Sequence, residues 1–374
     1  MSKSKKLWLV LVVVSVGVAM AVIVPCLRGG EVPSSSHYQV LDPIRHGNLT
    51  IFPVVTSSSH DTHAFLTLDE GLRSGDVTVS ESGNISPLVR PRRRDGVWRE
   101  PHSDGAQVNQ LVLVNNSKKP LLLLAGEIVT GGKQDRIIGK DRLVPAESDP
   151  IDLSVFCVEP GRWVAASGNY NFKAPVAMGA AMGGMVQPSV RSKAMADKDQ
   201  SKVWDQVRAS KQEMAQAVPT ASETVEVTSS YAGAIQNEEV QHKLESVAAP
   251  VEQEYQSVIR QLRDRNAVGV VVAVNGEIIW ADVFASSNLL EKYWPKLVRS
   301  YAAEAMVQRT NSTSATVKSA QEFLARIEGR REVIESEPGL YRHTEISGDG
   351  FKVFELTSLL PGSGFDLHLA KMSD

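Results

Sequence analysis

Cysteine is scarce in this chain, and that excludes a disulfide framework. There are only two, Cys26 at the end of the first hydrophobic run and Cys157 deep in the sequence. Charge of one sign is also missing. A net charge of -3 is too small to suggest nucleic acid or an acidic polymer as partner. There is no His-Glu-x-x-His, no paired Cys-x-x-Cys and no Gly-x-x-x-x-Gly-Lys-Ser/Thr, so the zinc and P-loop sites those patterns build are not expected. His60-Asp61-Thr62-His63 is the densest metal-like cluster, but it lies in a Ser-rich stretch without a second ligand pair, and a surface loop is the expectation. No motif specifies a cofactor.

One long hydrophobic run is present. Lys3, Lys5 and Lys6 precede 21 uncharged residues, Leu7 to Leu27, enough for a bilayer that needs about 20. The expectation is a membrane anchor with its tip in the cytoplasm and the folded part outside. The alternative is a signal peptide cleaved after Ala21, in the small-x-small pattern Ala19-Met20-Ala21, which would leave a secreted protein. Pro25 before Cys26 argues against lipidation. Residues 1–28 thus read as tip and anchor, and 29–43 as a linker.

The remainder reads as α+β. Residues 44–165 form a β-rich subdomain. Leu49–Val55 is a strand in which Pro53 suggests an edge or bulge. Strands are also expected at Ala64–Leu68, Val77–Val79, Val108–Val114, Pro120–Ala125 and Ile151–Phe156, with a helical turn at Asp69–Leu72. Residues 90–107 read as a polar insertion. Its Arg90, Arg92, Arg93 and Arg94 suggest a solvated loop or an anion-binding patch. Residues 166–202 read as a flexible loop, because Lys173–Ala196 is rich in Ala, Gly, Met and Ser.

Residues 203–374 form an α+β subdomain. Val203 to Val218 and Val240 to Leu262 have helical spacing, with a kink or new start at Pro250, and Thr220–Ser230 is a polar connector. Val268–Val274 and Glu277–Phe284 flank Asn275-Gly276, a type I′ hairpin signal. Ser286, Ser287 or Asn288 caps the next helix. A further helix runs from Val317 to Ile327. Tyr341–Ile346, Phe351–Leu356 and Phe365–Leu369 make a terminal β-meander.

Functional groups concentrate between Leu121 and Trp163. Gly126, Glu127, Gly131, Lys133, Gln134 and Arg136 form one motif. Cys157, Val158, Glu159, Gly161, Arg162 and Trp163 form a second. On these residues the chain resembles the ARG and Rhodanese-Phosphatase-superfamily-associated protein domain family of bacteria. That family carries Gly-Glu-Glu-x-x-Gly-x-Lys-Gln-Asn-Arg and Cys-Val-Glu-x-Gly-Arg-Trp segments. His46–Pro53 and Trp294–Tyr301 extend the resemblance over roughly residues 41–310. The chain departs at Ile128, where the family has a second Glu, at Asp135, where it has Asn, and in the 90–107 insertion. The resemblance implies a domain and no mechanism.

Three readings of the motifs stand side by side. In the first, Lys133, Gln134, Arg136, Arg162 and Trp163 bind a small anionic ligand, the glycine turn supplying backbone N–H groups. In the second, the same residues tie internal corners together, and the chain is a structural or protein-partner module. In the third, Cys157 is a nucleophile with Glu127 or Glu159 as acid–base partner, in a hydrolase or transferase. His46, His60, His63 and His102 would serve as its base only if folding brought one close. A buried thiol at the end of an apolar strand is the plainer expectation for Cys157.

Overall fold

A computed structural model describes residues 38–82, 109–161, 172–173, 184–262, 264–308 and 314–374. The hydrophobic run, the basic insertion, Arg162 and Trp163 lie outside the described residues. No described helix is long and apolar enough to cross a membrane.

The described chain begins with β1 (Gln39–Val40), β2 (Ile44–His46) and β3 (Leu49–Thr56). Every residue of β3 is buried, so this strand is covered on both faces. Pro53 falls where the outer neighbour of β3 changes: β2 pairs Ile44 with Ile51, and β1 pairs Val40 with Val54. The missing N–H therefore costs no ladder bond on that side. β4 (Leu66–Thr67) stops one residue short of the expected Leu68 because Thr67 caps α1 (Leu68–Ser74). The Thr67 hydroxyl accepts from the Glu70 N–H at 3.3 Å, and the Glu70 carboxylate accepts from the Thr67 N–H at 2.9 Å.

Short strands follow: β5 (Val77–Glu81), β6 (Gln110–Asn115), β7 (Leu121–Leu123), β8 (Ile128–Gly131), β9 (Arg136–Ile138), β10 (Arg142–Val144), β11 (Ile151–Cys157) and β12 (Phe172–Lys173). The segment expected to be a loop up to Ala196 is helical from Pro188. It forms α2 (Pro188–Ser192) and one wide π turn, Lys193–Asp197. Proline at the helix start needs no N–H partner, and Val190, Arg191, Ala194 and Met195 are buried, which outweighs the poor local propensity. Then come α3 (Gln200–Ala217), α4 (Ser222–Val227), α5 (Tyr231–Ile235) and α6 (Glu238–Arg260). The expected connector thus contains a short helix, α4. α6 is continuous through Pro250, so no new helix starts there. Pro250 and Ser246 are both exposed, so the carbonyl that loses its partner is open to water.

The hairpin is as expected: β13 (Asn266–Val274) and β14 (Glu277–Phe284), with Asn275 at φ 53° and Gly276 at φ 79°. Ser286 caps α7 (Ser287–Val307), accepting the Leu289 N–H at 3.1 Å. After α8 (Val317–Ala325) come β15 (Arg330–Glu337), β16 (Tyr341–Gly348), β17 (Phe351–Ser358) and β18 (Asp366–Ser373). β15 was not expected. It is a charged, exposed strand at a sheet edge, and has no alternating apolar face to betray it.

The fold is α+β. Among the described residues the largest sheet has the order β1-β3-β13-β14-β18-β17-β16-β15, with β2 also on β3. Its strands come from both ends of the chain. β3 pairs antiparallel with β13 from Leu49 opposite Val274 to Thr56 opposite Asn266. The expected division into a 44–165 and a 203–374 subdomain therefore does not describe how the sheets assemble. A six-stranded sheet (β12-β8-β9-β11-β6-β5) and a three-stranded one (β10-β7-β4) carry the motif segment. α7 covers the large sheet with Leu289, Tyr293, Trp294, Leu297 and Tyr301, against Trp280, Phe284 and Phe354. A second apolar cluster joins α2, α3 and α5 to Ile128, Ile137 and Phe156 of the smaller sheet.

Gly269 interrupts the apolar run of β13 for a steric reason. A Cβ there would lie 2.4 Å from the Asp282 carbonyl oxygen and 2.8 Å from the Val283 Cα, both backbone atoms of β14. We expect Gly269→Ala to destabilise the protein by about 1–3 kcal/mol in urea unfolding. Gly364→Ala, with nothing within 4 Å, should be close to neutral. Equal effects would contradict this account of Gly269.

Candidate functional site

The Gly126-Glu127 motif turns the chain from β7 into β8. Gly126 has φ +88°, and a Cβ there would lie 2.5 Å from the Arg191 Cγ, so both backbone and neighbour demand glycine. The turn is held between two groups of buried charges.

The first centres on Lys296 of α7. Its ammonium lies 2.5 Å from Glu127 Oε1 and 2.6 Å from Asp69 Oδ2, and all three side chains are buried. The other Glu127 oxygen accepts the Leu124 N–H at 2.7 Å. Burial raises the Glu127 pKa; Lys296 opposes and Asp69 adds to the rise. Burial works against the Lys296 charge, but the two carboxylates outweigh it and raise the Lys296 pKa.

The second centres on Asp282 of β14. Arg191 forks onto it with contacts of 3.0 and 3.2 Å, and the Tyr301 hydroxyl also donates to it. His368 bridges Asp282 and Asp141, with Nε2 3.1 Å from Asp282 Oδ1 and Nδ1 2.6 Å from Asp141 Oδ2. Arg191, Asp282, Asp141 and His368 have no exposed side-chain surface. Burial disfavours the charged imidazole, yet Asp141 and Asp282 together hold its pKa up at about 9. Burial alone would raise Asp141 and Asp282; their cationic neighbours instead hold both below the ordinary carboxylate range. This group also grips the motif backbone: the Ala125 N–H donates to Asp141 at 2.8 Å, and the Ala125 carbonyl accepts from Arg191 Nε at 3.1 Å.

The second half of the motif is a loop between β8 and β9. Gly131 (φ 116°) and Gly132 (φ 51°) make the sharp turn that the sequence suggested for anion binding. Carboxylates of the chain itself take these N–H groups. Lys133 N–H donates to Glu81 at 2.7 Å, Gly131 N–H to Asp135 at 3.1 Å, and Asp135 N–H to Glu159 at 2.9 Å. The Gln134 amide donates to the Glu159 carbonyl at 2.9 Å, and Ser230 donates to the far oxygen of Asp135 at 2.5 Å. Arg136 is fully buried. Burial lowers its pKa, against Cys157, Glu81, Asp135 and Glu159 around it.

The structure brings Lys133, Gln134, Arg136, Cys157 and Glu159 together. Glu127 is committed to Lys296 instead. Cys157 is buried, and burial pushes its thiol pKa up. Its sulfur accepts the Glu159 N–H at 3.4 Å, and its own backbone is held by Gln200. His60 stacks on Phe365 at 4.0 Å and exposed His63 bonds Asp61 at 2.9 Å. Neither contact involves the thiol.

A family model for the ARG and Rhodanese-Phosphatase-superfamily-associated Protein domain, ARPP-1, matches residues 37–370. The chain belongs to this family. Comparison with curated proteins and with solved structures gave no match.

The ARPP-1 span encloses both buried charge groups. Sequence reasoning missed most of their members: Asp69, Asp141, Arg191, Asp282, Lys296 and His368. A signal existed in three. Asp282, Lys296 and His368 each stand inside an apolar stretch, where an ionisable side chain needs a buried partner.

Removing the Lys296 charge leaves two buried carboxylates without their cation. Lys296→Met should cost about 3–5 kcal/mol of stability, and adding Glu127→Gln should recover part of it. Chemical denaturation of the single and double variants checks both. His368 also makes stability depend on pH. Its folded pKa of about 9 exceeds the ordinary 6.5, so its contribution is complete below 6.5 and is lost as pH rises through 9. The wild-type melting temperature should fall between roughly pH 7 and 9.5, with a flatter curve for His368→Gln. Equal slopes would remove His368 from the titration.

Proposed function

We propose that this ARPP-1 chain is a non-catalytic structural or protein-partner module, held at the membrane by Leu7–Leu27 with its folded part outside the cytoplasm. In this reading its two motifs form a frame that keeps the sheets in register. One observation carries it: the backbone N–H groups of Gly131, Lys133 and Asp135 are taken by carboxylates of the same chain. Glu81 and Asp135 occupy the loop N–H groups that an external anion would need. Burial and a raised thiol pKa make Cys157 a packed side chain.

The small-anion reading remains the alternative, with Lys133, Arg136, Arg162 and Trp163 as its residues. Lys133, only half-buried, favours it. Two measurements separate the readings. Iodoacetamide should label Cys157 in unfolded but not in native protein; fast native labelling would overturn the non-catalytic reading. Inorganic phosphate and succinate should leave the melting temperature of the wild type and Lys133→Ala equally unmoved. A stabilisation present in wild type and lost in Lys133→Ala would replace the frame by an anion site.

A further inference from the structure

His343 on β16 is 1% exposed, and neither of its ring nitrogens has a hydrogen-bond partner. Tyr341 and Glu345 share its face of the strand, because side chains alternate. Glu335 of β15 is directly opposite it in the ladder, and Leu356 of β17 is opposite on the other side. The Phe354 ring lies 6.1 Å from the imidazole. An apolar side chain would fill this place without leaving a donor unpaired. Packing therefore does not account for an imidazole here.

Two ion pairs tie other segments to the same strands. Lys140, in the turn between β9 and β10, pairs with Glu335. Lys198, which ends the π turn at φ 54°, pairs with Glu345 at 2.8 Å, and Lys352 of β17 shares that carboxylate at 2.6 Å. Burial pushes the His343 pKa below the ordinary 6.5; Asp141 and Glu335 oppose the fall, and Lys140 and Lys198 add to it. The surrounding carboxylates stay ionised in mild acid. Burial works against their charge, but Lys140 keeps Glu335 low, Lys198 and Lys352 keep Glu345 low, and His368 keeps Asp141 low. His368 is already charged at neutral pH. A proton added to this group in mild acid therefore goes to His343.

We infer that His343 is an acid-operated release, which frees the β9–β10 turn and the end of the π turn from β15 and β16. A proton on the ring creates an imidazolium across the ladder from Glu335 and two residues from Glu345 on its own strand. It competes with Lys140 and Lys198 for those carboxylates and repels both ammonium groups. The ladder between β15 and β16 persists while the two lysine-bearing segments open locally. The fold favours the neutral ring. The stability His343 contributes is thus complete above the ordinary 6.5 and is lost as pH falls from there through its lower folded value. The inference does not rest on the proposed function, and its failure would leave the frame reading of the motifs untouched.

The test is backbone hydrogen exchange of the full chain at about pH 7.5 and 5.5, read by mass spectrometry and corrected for intrinsic rates. Peptides covering the β9–β10 turn and the end of the π turn should exchange faster at the lower pH. The ceiling is about tenfold, set by an imidazole that returns to its ordinary pKa on release. Peptides from β13 and α7 should not change. His343→Leu should abolish the pH difference and match the wild type at the higher pH. Glu335→Gln removes the Lys140 tie, so the β9–β10 turn should exchange fast at both pH values while the π turn keeps its pH difference. A wild-type acceleration below about twofold would overturn the release. So would an equal acceleration of β13 and α7, which is global unfolding, or a pH difference that survives His343→Leu. Should that variant not fold, a pH difference of the β9–β10 turn that survives Glu335→Gln decides against the release.

Discussion

The structure depends on a small piece of backbone, Ala125 to Glu127, caught between buried charges. Asp141 and Arg191 take the N–H and carbonyl of Ala125, and Glu127 carries the motif's own charge to Lys296. Four carboxylates (Asp69, Glu127, Asp141, Asp282) face three cations (Lys296, Arg191, His368) in two groups of buried side chains. A buried set of this kind is costly to assemble and more costly to break, because every member left alone keeps its desolvation penalty. It connects α1, β14, α7, β18, α2 and the turns around β7 and β10.

The network joins β14, β18 and α7 to the motif segment, while the pairing of the large sheet itself spans distant parts of the chain. β3 and β13 are some 200 residues apart and pair over their whole length. The bond between β14 and the motif passes through Asp282 and Arg191, and the bond between α7 and the motif passes through Lys296. Apolar packing of α7 supplies most of the burial, but an apolar face alone tolerates sliding. A bidentate Arg–carboxylate contact does not.

The loop at Gly131–Arg136 carries the same lesson in a smaller space. Glycines followed by Lys, Gln, Asp and Arg are what an anion-binding turn needs, and the turn does bind anions. They are Glu81, Asp135 and Glu159. Local chemistry was legible in the motif, whereas the occupant was not. Glu81 lies fifty residues upstream on another strand, and nothing in the spacing places it there.

Sequence by itself determined the α+β class, the Asn275-Gly276 hairpin, a cap for α7 among Ser286, Ser287 and Asn288, the meander and the density of functional groups between Leu121 and Trp163. These rest on local rules: alternation, helical period, turn residues and short separation. Tertiary structure decided the rest. It put β3 beside β13, made a helix of Pro188–Ser192 by burying Arg191, carried α6 through Pro250 by leaving it in water, and hid β15 at a charged edge. It also gathered Asp69, Asp141, Arg191, Asp282, Lys296 and His368. Burial and long-range pairing set the energy of each of those groups, and neither is written in the residues beside them.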